Sequence, residues 1–221
     1  MMNSNNNSAD VSQQRVIRHS GADRLFHWVM AATVLILLAT SFLPILGMEF
    51  DWIEIHWITG LVLTVAILFH IVRALFAQPL KNMWFGTQDI RDVVATVKWL
   101  GRVQSVEPPK PGKYSPAQKL IHHVFTVIIL AAIVTGLIMM VKIDTPLWER
   151  DPYWLEAATW GIVYVLHGLA SLCLISLIML HVYFGVRPEK LLYLRSMLRG
   201  WITRDEYQAH HDPSRWDDPQ A

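Results

Sequence analysis

The chemistry on offer in this sequence lies in histidines set into apolar stretches. His56 and His70 stand fourteen residues apart in HWITGLVLTVAILFH, and His167 and His181 stand fourteen apart within residues 160–186, WGIVYVLHGLASLCLISLIMLHVYFGV. The second stretch has no Asp, Glu, Lys or Arg and is long enough to cross a bilayer. Fourteen residues at 100° each return to within roughly 40° of the starting face and rise ~21 Å along the axis. Each helix therefore offers imidazoles at two levels on nearly one face. Imidazole is costly in hydrocarbon unless it faces a bundle interior and has a partner. It is also an axial ligand for haem iron. Two levels of histidine on facing helices suit two stacked haems that carry electrons across a membrane. A single buried histidine is more often a hydrogen-bonded packing residue. Here, however, seven of the ten histidines (27, 56, 70, 122, 123, 167 and 181) lie in or at the edge of apolar stretches, too many for routine packing in lipid.

Composition agrees with a membrane setting. The 221 residues are 53% hydrophobic and 17% charged, which suits a bundle with polar loops. The net charge of +1 gives no reason to expect nucleic acid. The single cysteine, Cys173, excludes a disulfide within the chain, and no Cys-x-x-Cys-His motif is present for covalent haem. Any haem is then of b type, held by histidine. The opening MMNSNNNSADVSQQR lacks the basic region, apolar core and cleavage site of a signal peptide, so residues 1–24 are expected to form a disordered cytoplasmic tail.

The fold class expected is all-α and integral to the membrane, a four-transmembrane-helix bundle with interfacial amphipathic helices. The spans fall at about 25–47, 55–76, 117–141 and 160–186. They form one di-haem domain over 25–187, followed by an amphipathic cytoplasmic tail over 188–221. Residues 87–101 carry Ile90, Val93, Val94, Val97 and Leu100 at helical spacing, which predicts a helix lying along the membrane surface or against a neighbour. Residues 189–201 form a second such segment. Ser115 and Pro116 provide an N-cap and a first helical position for the third span. Almost all Lys and Arg fall in the two tails and the middle loop, which places both termini in the cytoplasm of a bacterial inner membrane. In that topology His27, His70 and His181 lie towards the cytoplasm, and His56 and His167 towards the outside. His56 and His167 therefore pair at the outer level, with Gly60 leaving room for a porphyrin. At the inner level His181 has two possible partners, His27 and His70, and spacing favours His70.

The chain resembles the cytochrome b (gamma) subunit of membrane-bound formate dehydrogenases, kin to the b cytochromes of nickel–iron hydrogenases and thiosulfate reductases. The resemblance is carried by DRLFHW at 23–28, His56-x-x-x-Gly60 and Val72-Arg73, GKYSPAQK at 112–119, the pair His167 and His181, and HHDPSRW at 210–216. It implies two b haems, the inner between His27 and His181 and the outer between His56 and His167, because some members carry an apolar residue at the position of His70. It further implies a periplasmic iron–sulfur subunit with its catalytic subunit as electron source, formate as the fuel, and a quinone as electron acceptor. The corresponding stretch of the family contributes to quinone binding, which points to Ser115 and Gln118, with His122 as a further quinone contact. Related chains have Asn-Ala-Gly where this one has Ser115-Pro116-Ala117.

Two other functions compete. A cytochrome b serving a hydrogenase or a thiosulfate or polysulfide reductase would have the same span and histidine pattern. A haem-free transporter lined by histidines would also bury them, but the spans carry no acidic or basic side chain in their interior and no internal repeat. Arg18, Arg24, Arg73 and Arg187 stand near the inner level and are expected to pair with haem propionates or to anchor the spans. His210 and His211 are expected to be solvated or at a subunit contact.

Overall fold

The computed structural model describes residues 14–77 and 80–216. In chain order these form β1 (Arg15–Ile17), α1 (Gly21–Phe42), α2 (Trp52–Ala77), a 3-10 turn (Leu80–Asn82), α3 (Thr87–Leu100), α4 (Pro116–Met140), α5 (Ala157–Val186), a second 3-10 turn (Pro188–Lys190), α6 (Leu191–Arg199), β2 (Trp201–Thr203) and α7 (Arg204–His210). Four of these helices, α1, α2, α4 and α5, have the length and apolar composition to cross a bilayer. They are the four spans expected from sequence, displaced by a few residues at their ends. The first ends at Phe42, because Pro44 has no N–H to continue the helix and residues 43–47 turn instead.

The chain divides into two compact units. The first comprises residues 25–77 and 123–183 and contains the membrane-spanning bulk of the four long helices. Its core is Val34 and Leu38 from α1, Leu63 from α2, Ile129 from α4 and Leu174 from α5. Most other apolar side chains of these helices face outward, as a lipid-solvated bundle requires.

The second unit takes in the described residues of 1–24, 78–122 and 184–221. It corrects the expectation of a disordered tail over 1–24 for the described residues from 14 on, which include a strand. β1 pairs antiparallel with β2, setting Arg15 opposite Thr203 and Ile17 opposite Trp201. Val16, Ile202, Tyr207 and Trp216 form a buried cluster. Thr203 caps α7 by accepting from the Glu206 N–H, and the Glu206 carboxylate accepts from the Thr203 N–H and pairs with Arg195. Gly200, at φ +93°, ends α6 in the left-handed region, and an added Cβ would meet the His19 carbonyl at 3.0 Å. Residues 1–13 lie outside the described residues.

Arg18 is buried in this unit. Its guanidinium donates to Nε2 of His211 at 2.8 Å and to the Lys113 carbonyl at 2.8 Å, and it stacks over the Tyr193 ring. His211, expected to be solvated or at a subunit contact, is 1% exposed and donates from Nδ1 to the Gly112 carbonyl at 2.7 Å. His210 beside it is exposed. The sequence reading missed this clasp because its members are far apart in the chain, at 18, 112–113 and 211–216. Arg24 donates to the Leu198 carbonyl at 2.7 Å, and Arg187 pairs with Glu189.

Candidate functional site

The four long helices bring histidines together at two levels. At one, His56 of α2 and His167 of α5 face each other with ring centroids 6.2 Å apart and planes at 72°. At the other, His27 of α1 and His181 of α5 stand 6.3 Å apart at 52°. An iron bonded at about 2 Å to one nitrogen of each of two imidazoles, with about 1.1 Å from nitrogen to ring centre, sets the centroids about 6.2 Å apart. The separation of both pairs leaves room for such an iron. Hydrogen-bonded histidine side chains that touched directly would be closer.

His70 points elsewhere. Its ring stacks on Phe26 with centroids 4.2 Å apart and planes 9° from parallel. Spacing along α2 had favoured His70 as the partner of His181, and the structure instead brings His27 there. A fourteen-residue interval fixes only the face of one helix. The packing of α1 against α5 decides which ring meets His181.

His56 and His167 are each held from behind by a threonine of a neighbouring helix. Thr40 of α1 lies 2.8 Å from Nδ1 of His56, and Thr135 of α4 lies 2.9 Å from Nδ1 of His167. The Thr40 hydroxyl proton is directed to the Ile36 carbonyl at 2.9 Å, and that of Thr135 to the Ala131 carbonyl at 2.6 Å. Each oxygen therefore turns a lone pair to the imidazole and accepts from Nδ1–H. The ring nitrogen left with a lone pair is Nε2, the one available to a metal. Gly136, next to Thr135, lies so close to the His167 ring that an added Cβ would stand 3.2 Å from Cε1.

A cavity of about 200 Å³ opens between these side chains. It is lined by His56, Gly60, Gly136 and His167 together with apolar residues such as Leu38, Leu63, Ile133 and Leu174. A Cβ at Gly60 would meet no atom within 4 Å, so the glycine contributes open space on the histidine face. Paired imidazoles and a largely apolar lining suit a porphyrin, which is apolar in its plane and binds through its metal. At the His27–His181 level the Phe125 ring of α4 packs edge-on against His181, with centroids 5.9 Å apart.

The chain matches the family described as prokaryotic cytochrome b561 over residues 18–200, which include all four of these histidines. The chain belongs to the prokaryotic cytochrome b561 family. It is a multi-pass membrane cytochrome of electron transfer, and b-type haem is the cofactor that membership implies. The cytochrome is also similar to the cytochrome b556(fdo) subunit of formate dehydrogenase from Escherichia coli K12, with 24% identity over 216 residues that cover 91% of each chain. The corresponding subunit of Escherichia coli O157:H7 matches to the same extent. The resemblance drawn from the motifs is thus borne out at the level of family and relatives.

The residues expected at a quinone site sit at the start of α4. Ser115 Oγ accepts from the Gln118 N–H at 3.3 Å, and the Gln118 carbonyl oxygen accepts from the Ser115 N–H at 2.9 Å. This is a reciprocal cap of the helix, as the Ser-Pro pattern had indicated. It engages the Ser115 oxygen and the Gln118 carbonyl, and neither bond uses the hydroxyl proton or the amide hydrogens. His122, one turn further on, is exposed.

Thr40, Thr135, Gly136 and Phe125 were not singled out from the sequence. One signal was available for Thr40. It stands thirteen residues after His27, about 20 Å along α1, which is the interval between the two histidine levels.

Proposed function

We propose that this cytochrome is the membrane-anchoring electron-transfer subunit of a respiratory oxidoreductase, carrying electrons from a periplasmic iron–sulfur partner to the quinone pool of a bacterial inner membrane. The observation that carries this reading is the pair of imidazole couples with centroids 6.2 and 6.3 Å apart. His56 and His167 would hold one b haem and His27 and His181 a second. Bound haem supplies a one-electron carrier with no proton or atom transferred. The protein's part is to fix both rings of each couple, to keep Nε2 deprotonated at the outer couple through Thr40 and Thr135, and to limit water in the cavity with a largely apolar lining.

The donor complex is proposed to be a formate dehydrogenase, on the similarity to the cytochrome b556(fdo) subunits along 91% of the chain. Both termini would lie in the cytoplasm, by the distribution of Lys and Arg. That topology puts the start of α4 on the cytoplasmic side, where Ser115, Gln118 and His122 would line the quinone site. The test is direct. The purified full chain should give a reduced-minus-oxidised spectrum of b type with two haems per polypeptide. A chain that binds none would be left with the histidine-lined transporter reading. Subunits that co-purify from membranes identify the donor, and a hydrogenase or thiosulfate reductase among them would replace formate dehydrogenase.

A further inference from the structure

Helix α3 (Thr87–Leu100) is amphipathic, but its buried face is the acidic one. Asp89 and Asp92 are only 5% and 4% exposed, whereas Ile90, Val97 and Leu100 are 57%, 62% and 67% exposed. The acids are held by ion pairs within the same unit. Asp89 meets Lys119 at 2.9 Å, and Asp92 meets Arg215 at 2.6 Å and accepts from Gln88 at 3.0 Å. Asp89 also caps the helix by accepting from the Gly86 N–H at 2.8 Å. The helix cannot roll its apolar stripe inward without breaking two buried ion pairs, which leaves their charges uncompensated.

Three observations indicate what that outward stripe meets. First, Lys119 lies in the first turn of the membrane span α4 and also donates to the Trp84 carbonyl at 3.2 Å. The beginning of α3 is therefore tied to the level at which a span enters the bilayer. Second, the stripe is bordered on one side by cations. Arg91 and Lys98, both exposed, lie roughly 100° and 80° round the axis from Ile90. Third, the exposed indole of Trp84 precedes the helix, a side chain suited to the headgroup layer. An apolar stripe with a cationic border fits the anionic headgroup region of a bilayer.

We propose that α3 is a lipid-surface seat, its apolar stripe immersed in the leaflet where α4 begins and its Arg91 and Lys98 on anionic headgroups, with the ion pairs to Lys119 and Arg215 fixing that orientation. The bilayer, and not a protein groove, is the occupant. Because its polar side is already committed, the helix needs no partner to present its apolar side.

The test uses the full haem-loaded chain in lipid nanodiscs, with Cys173→Ala as background and single cysteines at Val97, Leu100 or Glu107 for spin labels. These positions are exposed, so the labels should leave haem content unchanged. In discs containing phosphatidylglycerol, labels at Val97 and Leu100 should collide with oxygen several-fold more than with a water-soluble nickel chelate. The label at Glu107, in the polar connector, should show the reverse. Arg91→Gln with Lys98→Gln, or discs of phosphatidylcholine alone, should lower the oxygen-to-nickel ratio at Val97. A Val97 label open to nickel in both lipids would overturn the proposal. Dipolar broadening between chains would overturn it in favour of a second copy, and a label shielded from oxygen and nickel alike in favour of a protein partner. An unchanged ratio in the Arg91 and Lys98 variant would overturn the role of anionic headgroups.

Discussion

The Thr40 hydroxyl accepts a hydrogen bond from Nδ1 of His56 at 2.8 Å while donating its own proton to the Ile36 carbonyl. Its backbone is fixed in α1, so the imidazole is held in one tautomer and one orientation before any ligand arrives. Thr135 on α4 does the same for His167. A histidine that donates through its second nitrogen becomes a more basic ligand, which favours the oxidised metal. Valine has the shape of threonine without the hydroxyl. Thr40→Val or Thr135→Val should therefore keep the fold and lower haem affinity by about tenfold at the outer site. The potential of that haem should rise by roughly 20–60 mV, the equivalent of one net hydrogen bond in a one-electron couple. Redox titration of the purified variants reads the shift. No change in either potential would mean that the threonines only pack.

Ligation itself is tested by truncation. His56→Ala or His167→Ala should lose the outer haem, and His181→Ala the inner one, because each would leave a porphyrin with one protein ligand. Haem per polypeptide, measured with pyridine haemochrome, should fall from two to one in each variant. Full occupancy with unchanged low-spin spectra in all three would refute the assignment.

The choice between His27 and His70 is separable. His27 faces His181 at 6.3 Å, and His70 stacks on Phe26 at 4.2 Å. His27→Ala should abolish the inner haem, while His70→Leu should retain it and cost about 1–2 kcal/mol at most through altered packing. The opposite pattern of haem content would assign both α2 histidines to haem.

Much of this architecture was legible from periodicity. The spans are long apolar runs whose composition no tertiary contact needs to override, and the expected levels of His56, His167 and His181 follow from helical rise together with the distribution of Lys and Arg. What the sequence could not supply is which helix faces which. The Phe26–His70 stack and the Thr135–His167 bond both depend on side-chain packing between helices distant in the chain. The unit built from both ends was hidden for a different reason. Arg18, Gly112 and His211 belong to three polar segments with no shared period, and their polarity resembles that of solvated tails until the ring of hydrogen bonds closes.

That ring gives a pH dependence. His211 lies outside the spans, and burial, followed by the charge of Arg18 and by His210, pushes its pKa down to about 4, against the opposing pull of the Gly112 carbonyl. Tyr193, Tyr207 and Trp216 pack around it and add no negative charge at neutral pH. The folded state thus binds this proton less readily than the unfolded chain, whose histidine titrates near 6.5. The contribution of His211 is complete above pH ~6.5 and is lost as the pH falls from there towards 4. Protonation at Nε2 sets an N–H against the Arg18 N–H that it had accepted. Amide exchange in β1 and β2 should accelerate between pH 7 and pH 5, after correction for the intrinsic rate, and His211→Gln should flatten that dependence.

The quinone assignment meets a complication in the cap at the start of α4. Ser115 and Gln118 close the helix end on each other, so replacing them with Ala and Leu would remove a cap worth about 1 kcal/mol along with any quinone contact. Ser115→Asp with Gln118→Glu avoids this. A carboxylate at 115 still accepts from the Gln118-position N–H, and one at 118 still accepts from the N–H of residue 115. The substitutions remove only what the cap does not use, the hydroxyl proton and the amide hydrogens, which are the groups able to donate to a quinone carbonyl. In the intact complex with its physiological donor, both haems of this variant should reduce at the normal rate, while electron delivery to quinone slows at least tenfold, the loss expected when a charge replaces a donor facing an electron-rich oxygen. His122→Ala should slow delivery less. Quinone turnover at the wild-type rate, with haem content and melting temperature unchanged, would move the quinone site away from the start of α4.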